Sequence, residues 1–306
     1  MDQVNHKLLY QEVDLDELLV EVKHNKIRIN NKEEEYYDKE EDQKIINQYY
    51  RDISFLTTDK KELFLQLSEL ITKTHEIHLP YNSTTRNYLY SWVDLQMDGT
   101  LRSIYSGKNK DPEQLIKEDF ETELSREMAY RKLKKMTLGH EVVIQDMIKV
   151  IEKENMYNCE HVVPQSWFDK DNPMRGDLHH LFTCEKTCNS LRSNYPYHDF
   201  TDYSPEFSLK GIASECGKYE EQKFEPESGK GEVARATLYF LLRYPNEINH
   251  YDQRDIKLLL KWHNEFTVTT YEKHRNKAVF EKQKNRNPLI DLPQIAEKID
   301  FSVGLK

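Results

Sequence analysis

NCEHVVPQSWFDKDNPMRGDLHHLFTCEKTCNSLRSN (158–194) concentrates acid, imidazole, amide and guanidinium side chains in one short stretch. EHVVPQSWF begins like a strand, and Pro164 ends it, because proline cannot donate to a ladder. GDLHHLFT (176–183) reads as a second short strand. A helix starting near Cys184 would then carry Asn189, Arg192 and Ser193. Strand, strand and helix with these residue types form a small ββα wrapper around one metal ion.

Glu160 and His161 stand at the end of the first strand. Neighbours on a strand point to opposite faces, so irregular geometry at the strand end is needed to bring both to one site. A carboxylate oxygen is a hard ligand suited to Mg²⁺, Mn²⁺ or Ca²⁺. A neutral imidazole is a good base near pH 7. Glu160 is therefore assigned to a metal and His161 to a proton, with the Asn189 amide oxygen as a second ligand. That set suits phosphodiester hydrolysis, in which the base deprotonates water while the cation neutralises charge on the phosphate and the departing O3′. Metalloprotease signatures fare worse: there is no H-E-x-x-H, and the inverted H-x-x-E-H would need histidine where Tyr157 stands.

The neighbouring residues have structural readings beside functional ones. Arg175 could clamp the scissile phosphate or pair with Asp177. His180 and Asp177 could orient the ligating groups from behind, or simply pack. On a strand His179 and His180 would alternate, so only one of them would face the site. All four cysteines, Cys159, Cys184, Cys188 and Cys216, fall in one part of the chain. They could hold a structural Zn²⁺, stay as reduced core thiols, or form a disulfide if the protein is exported. Trp92, Trp167 and Trp262 are assigned to packing rather than to stacking on bases.

Working outward, residues 1–80 read as an acidic helical extension and 81–306 as the catalytic part. Leu15, Leu18, Leu19 and Val22 share one helix face, and EEEYYDKEED (33–42) makes the segment a solvated one. Asp59-Lys60-Lys61-Glu62 fits a capping box, followed by the apolar stripe Leu63, Leu67, Leu70 and Ile71. LPYNSTTRN (79–87) reads as a loop. Asp98-Gly99 marks a turn within either two strands or a helix-turn-strand passage. Residues 115–155 read as mainly helical, 229–245 as a buried helix stopped at Tyr244-Pro245, and 255–266 and 268–283 as two more helices. The fold class is α+β, a mostly helical body around the small ββα core.

Composition sets bounds on this reading. The 306 residues are 37% hydrophobic and 32% charged, with a net charge of −10, which argues mildly against a nucleic-acid partner. Net charge says little about local patches, however, and KHRNKAVFEKQKNR (273–286) is basic. No apolar run reaches the ~18 residues of a membrane span, and MDQVNHKLLYQEVDLDELL lacks the basic and apolar regions of a secretory signal. A cytoplasmic protein with no membrane partner is expected.

The chain resembles the bacterial endonuclease I family of His-Me-finger, or ββα-metal, nucleases. The blocks that carry the likeness are TLRSIYSG (100–107), NCEHVVPQSWF (158–168), RGDLHHLF (175–182), CNSLRSNYPY (188–197), FEPESGKGEVARATLYFLLRYP (224–245) and NRNPLIDLP (285–293). The resemblance implies His161 as general base, Glu160 and Asn189 as ligands of a Mg²⁺-type cation, and Arg192 as a phosphate contact or a support for the site. It also implies cleavage of DNA, and of RNA in some members, with little sequence preference. Two other readings are a toxin-like nucleic-acid-binding module whose nuclease core is autoinhibited by residues 1–56 or by a regulatory partner, and a zinc-stapled interaction scaffold.

Overall fold

The computed structural model describes residues 15–31, 33–136, 141–205 and 215–306. The first fourteen residues of the acidic segment, and residues 137–140 of the expected helical stretch, lie outside the described residues. In chain order the helices are α1 (Leu15–Asn31), α2 (Glu33–Tyr36), α3 (Lys39–Tyr49), α4 (Lys60–Thr74), α5 (Ser83–Tyr88), α6 (Pro112–Met136), α7 (Glu141–Glu154), α8 (Lys186–Arg192), α9 (Lys230–Arg243), α10 (Gln253–Glu265), α11 (Thr270–Gln283) and α12 (Pro288–Asp291). Three antiparallel two-stranded ribbons complete the fold: β1 (Leu101–Arg102) with β2 (Asn109–Lys110), β3 (Cys159–His161) with β4 (Leu181–Thr183), and β5 (Gly217–Glu220) with β6 (Lys223–Pro226). The class is α+β with a mostly helical body, as expected.

The centre of the body is α9, whose residues from Val233 to Arg243 are all buried. Such all-round burial follows from a mostly apolar run, in which the charged Arg235 is paired with Glu272. Against it lies α4, started by Asp59, whose carboxylate accepts from the backbone of Lys61 and Glu62. The stripe Leu63, Leu67 and Ile71 is fully buried there, and Leu70 packs at its edge. Burying each such side chain contributes about 1.5–3 kcal/mol. A second apolar cluster joins Leu18, Val22 and Ile29 of α1 to Leu89, Tyr90 and Val93 and to Ala278 and Val279 of α11. The β3–β4 ribbon runs between the two clusters, with Phe182 in the first and Leu181 in the second. Opposite faces of one strand thus serve both cores.

Three expectations change. The acidic segment is solvated only in part: besides the buried face of α1, it sends Asp42 into the interior, where Arg286 of the NRNPLID corner holds it with two bonds of 2.9 and 3.0 Å. Ile46 and Tyr50 of the same segment pack into the first apolar cluster. LPYNSTTRN is a loop only as far as Asn82, which caps α5 by accepting from the Thr85 amide. GDLHHLFT is a strand only from Leu181; residues 174–176 and 178–180 form two tight 3₁₀ turns. Asp177 causes this, because its carboxylate accepts from the His179 amide and closes the second turn. Arg275 of α11 then holds the turn from outside, donating to the carbonyls of Leu178 and Leu181 and pairing with Asp94. The passage around Asp98-Gly99 is helix-turn-strand, with Gly99 at φ 75°.

Candidate active site

In the ribbon Glu160 stands opposite Phe182 and His161 opposite Leu181, so the two site residues start on opposite faces. His161 is the last residue of β3. Beyond it Pro164 turns the chain, and both side chains end in the wall of one cleft of about 230 Å³. The cleft also takes in Asn189, Arg175, Arg192 and Asn194. Five residues singled out from sequence as catalytic or metal-binding therefore meet at one place.

Asn189 reaches the ribbon from α8, its amide nitrogen donating to the Cys159 carbonyl at 2.8 Å. Only the nitrogen can donate, so this bond fixes the amide and leaves Oδ1 as the group's other polar atom. Three residues on, Arg192 is fully buried and turns inward. It donates to Glu160 Oε1 at 3.0 Å and to the Val162 carbonyl at 2.6 Å. Tyr105, from the TLRSIYSG block, donates to the same Oε1 at 2.8 Å. Burial pushes the Glu160 carboxyl up to about 7, against the opposing pull of Arg192 and Tyr105.

His161 is set by its surroundings. Its Nε2 lies 2.8 Å from the Arg175 carbonyl oxygen. A carbonyl only accepts, so Nε2 carries the proton and Nδ1 keeps the lone pair. Burial, with His180 close by, holds the imidazole well below its ordinary pKa and so neutral. Tyr81 packs edge-on against the ring at 4.7 Å and its hydroxyl meets the Cys159 sulfur at 3.2 Å. Gly176 makes this possible: a Cβ there would lie 1.7 Å from the Leu79 carbonyl oxygen, so only glycine lets the Tyr81 loop approach the turn.

Arg175 does not pair with Asp177. Its Nε donates to Gln165 Oε1 at 2.7 Å, its guanidinium lies over the Tyr81 ring, and no carboxylate among the described residues forms an ion pair with it. Its positive charge is left facing the cleft. Arg192, in contrast, is committed to Glu160 and to backbone carbonyls, so it supports the site and is not placed to contact a phosphate. His180 donates to or accepts nothing from a ligating group: its Nε2 meets the Met174 carbonyl at 2.6 Å, and its ring only packs against His161 at 5.5 Å. His179, no longer on a strand, packs its ring at a tilt against Tyr239. Asp177 lies behind the site, accepting from Tyr239, Tyr244 and Gln283. Burial would raise its carboxyl, but the surrounding histidines and the Gln283 amide hold it well below the usual range.

The four-cysteine zinc site is corrected. Cys188 and Cys216 form a disulfide, which removes two of the thiolates such a site needs. Cys159 and Cys184 are buried thiols, and burial pushes Cys159 up to about 12 and Cys184 well above its ordinary value. Tyr105, Tyr81 and Gln165 were not singled out from sequence. Tyr105 and Gln165 lie in the blocks TLRSIYSG and NCEHVVPQSWF, but the partnership of Tyr105 with Glu160 spans 55 positions and has no local signature.

The donors suit a hard divalent cation. Both the phenol and the guanidinium bond fall on Glu160 Oε1, so Oε2 takes neither of them, and Asn189 would contribute an amide oxygen. One carboxylate oxygen and one amide oxygen, in a cleft without an available thiolate, match Mg²⁺ or Ca²⁺ better than zinc.

Fold and site together describe a helical α+β protein whose cleft joins a strand-end acid and imidazole to a helix-borne amide. The family model for Endonuclease I matches residues 60–294, and the chain belongs to the endonuclease I family. It is 30% identical over 161 residues to the "Extracellular ribonuclease" of Bacillus subtilis (strain 168), covering 47% of this chain and 54% of that one. It is 31% identical over 161 residues to the "Extracellular ribonuclease" of Bacillus amyloliquefaciens, covering 47% and 53%. It is 30% identical over 120 residues to "Endonuclease-1" of Buchnera aphidicola subsp. Baizongia pistaciae (strain Bp), covering 37% and 45%. The chain spans about half the length of these relatives.

Proposed function

We propose that the protein is an endonuclease that hydrolyses phosphodiester bonds of DNA and RNA, with His161 as general base. The observation that carries this is the fixed tautomer of His161: a neutral ring whose Nε2 is tied to the Arg175 carbonyl, beside Glu160 and Asn189 in one cleft. Nδ1 is then the atom that takes a proton from water. Glu160 and Asn189 would hold a Mg²⁺-type cation, which supplies charge neutralisation at the phosphate and the departing oxygen. Arg192 and Tyr105 keep the Glu160 carboxylate in place, and Arg175 offers its uncompensated charge to the phosphate.

Local charge supports a polyanionic substrate despite the net charge of −10. Four cationic residues, Arg126, Lys170, Arg175 and Arg192, line the cleft against two carboxylates, Glu152 and Glu160. Lys170 and Arg192 pair with those two, Arg126 donates to backbone carbonyls, and Arg175 pairs with no carboxylate among the described residues. None of residues 15–56 lines it, which gives no support to occlusion by that part of the acidic segment. The Cys188–Cys216 disulfide, together with two relatives named as extracellular, favours an oxidising compartment over the cytoplasm. No helix among the described residues is long and apolar enough to cross a membrane.

The test is digestion of plasmid DNA and of RNA with Mg²⁺, Mn²⁺, Ca²⁺ and EDTA arms. Cleavage of both polymers that EDTA abolishes is the expected result. A carefully purified protein that cuts neither polymer with any ion would refute the reading.

A further inference from the structure

Lys170 sits in the turn after Trp167 with its backbone at φ 60°, and Asp169 before it is at φ 53°. Left-handed backbone at a residue other than glycine is unfavourable and persists only where the surroundings impose it. Here the Lys170 amide donates to the Gln165 carbonyl at 2.9 Å and the Asp171 amide to the Phe168 carbonyl at 3.0 Å, closing the turn. The fixed backbone sends the ammonium to Glu152 Oε2 of α7, 2.9 Å away, and both residues line the same cleft as His161 and Asn189.

Glu152 is held from behind. Arg126 donates to the carbonyls of Glu152 and Asn155 at 3.0 and 2.6 Å, and its guanidinium lies over the Tyr157 ring. A cation at a helix C-terminus is favourable, so the Arg126 charge is used to fix the end of α7. The Lys170–Glu152 pair itself is partly open to solvent, with side-chain exposures of 48% and 30%. Such partly open pairs are weak, and it is the backbone bonds of Lys170 and Asp171 that hold the turn, so the pair is free to exchange. The pair places an acid oxygen on a lysine at the mouth of a site built for phosphodiesters, where a backbone phosphate would make the same contact.

The geometry points to Lys170 as a substrate-positioning residue that binds a backbone phosphate flanking the scissile one, with Glu152 as a built-in competitor that occupies it until nucleic acid arrives. This rests on the nuclease reading above. Binding exchanges the carboxylate for a phosphate oxygen on the same ammonium, and the freed Glu152 turns to solvent.

The experiment is steady-state cleavage of a quenched fluorescent oligonucleotide, in DNA and RNA versions, with Mg²⁺ at several salt concentrations. Glu152→Gln should lower KM about threefold, the equivalent of the weak pair it breaks, while kcat stays within about twofold. Lys170→Met should raise KM and flatten the salt dependence of binding by about 0.7 in logarithmic slope, one phosphate contact on a single strand. The charge-swapped Lys170→Glu/Glu152→Lys variant keeps a bridge and should stay as weak as Lys170→Met. An unchanged or raised KM for Glu152→Gln, or recovery of wild-type KM in the swap, would overturn the proposal, the latter by showing a merely structural bridge. Wild-type protein inert on both oligonucleotides would instead remove the nuclease reading itself.

Discussion

Arg192 Nη1 lies 3.0 Å from Glu160 Oε1, and both side chains are shut away from solvent at the base of the cleft. Removing one partner of a buried pair leaves the other uncompensated, at a cost of about 3–5 kcal/mol. Arg192→Met should therefore lower the melting temperature and abolish Mg²⁺ binding measured by calorimetry, although Arg192 is not itself placed on the substrate. Full Mg²⁺ affinity in the variant would show that Glu160 needs no anchor.

His161→Ala removes the proposed base while leaving Arg175 and Lys170 in the cleft. A general base contributes about 10²–10⁴-fold to rate, so kcat should fall by that factor. Binding of a labelled oligonucleotide, followed by fluorescence anisotropy, should persist. Retained turnover in a contaminant-free preparation would refute the assignment.

The Cys188–Cys216 disulfide adjoins Asn189 on α8 and closes a sequence separation of 28. Native disulfides stabilise by about 2–4 kcal/mol. Reduction, or Cys188→Ser, should lower the thermal midpoint and depress activity, because the helix carrying the amide proposed as a metal ligand loses its tether. Activity and circular dichroism measured against increasing reductant give the answer; identical activity with and without the bond would separate α8 placement from the disulfide.

Gly176→Ala forces a methyl against the Leu79 carbonyl, where a Cβ would stand only 1.7 Å away. Either the Tyr81 loop or the Arg175 turn must give, at about 1–3 kcal/mol for an overpacked position. Because both flank His161, kcat should fall more than stability alone explains, as assayed well below the variant's own melting point.

Six buried histidines, His75, His161, His179, His180, His263 and His274, are lowered by burial, His75 to about 4 and His179 to about 3. Below about pH 6.5 the unfolded chain protonates them and the folded chain does not. Stability present above that pH is thus lost as pH falls toward the folded values. Glu160 and Glu232, each raised to about 7 by burial, act in the opposite sense, as do Asp119, Glu225 and Asp255, whose carboxyls burial also raises, but these acids are fewer than the histidines. Melting temperatures should drop between pH 7 and pH 5; a flat or rising profile would contradict the burial of neutral histidines.

Local pattern explains what was legible. The helical period of 229–245, the stop at Pro245 and the cap at Asp59 are short-range signals, and all appear where the sequence puts them. Glu160, His161, Asn189, Arg175 and Arg192 do come together, because a short ribbon and the helix after it are close in sequence. Tertiary bonds explain the failures. The apolar alternation of GDLHHLFT suggests a strand, but the Asp177 cap and Arg275 from α11, nearly a hundred positions away, fold its first half into turns. Cysteine pairing across 28 positions had no local signature. Nor did composition reveal that an acidic segment would supply a buried partner to Arg286.

That last pair has a consequence for truncation. Arg286 is balanced by Asp42 on one side and Asp291 on the other. Asp42 lies outside the residues 60–294 that the family model matches, whereas Asp291 lies inside them. Trimming the chain to the matched residues would strip a fully buried guanidinium of one of its two counter-charges. Clipping the acidic segment away thus changes the interior and not merely the outline.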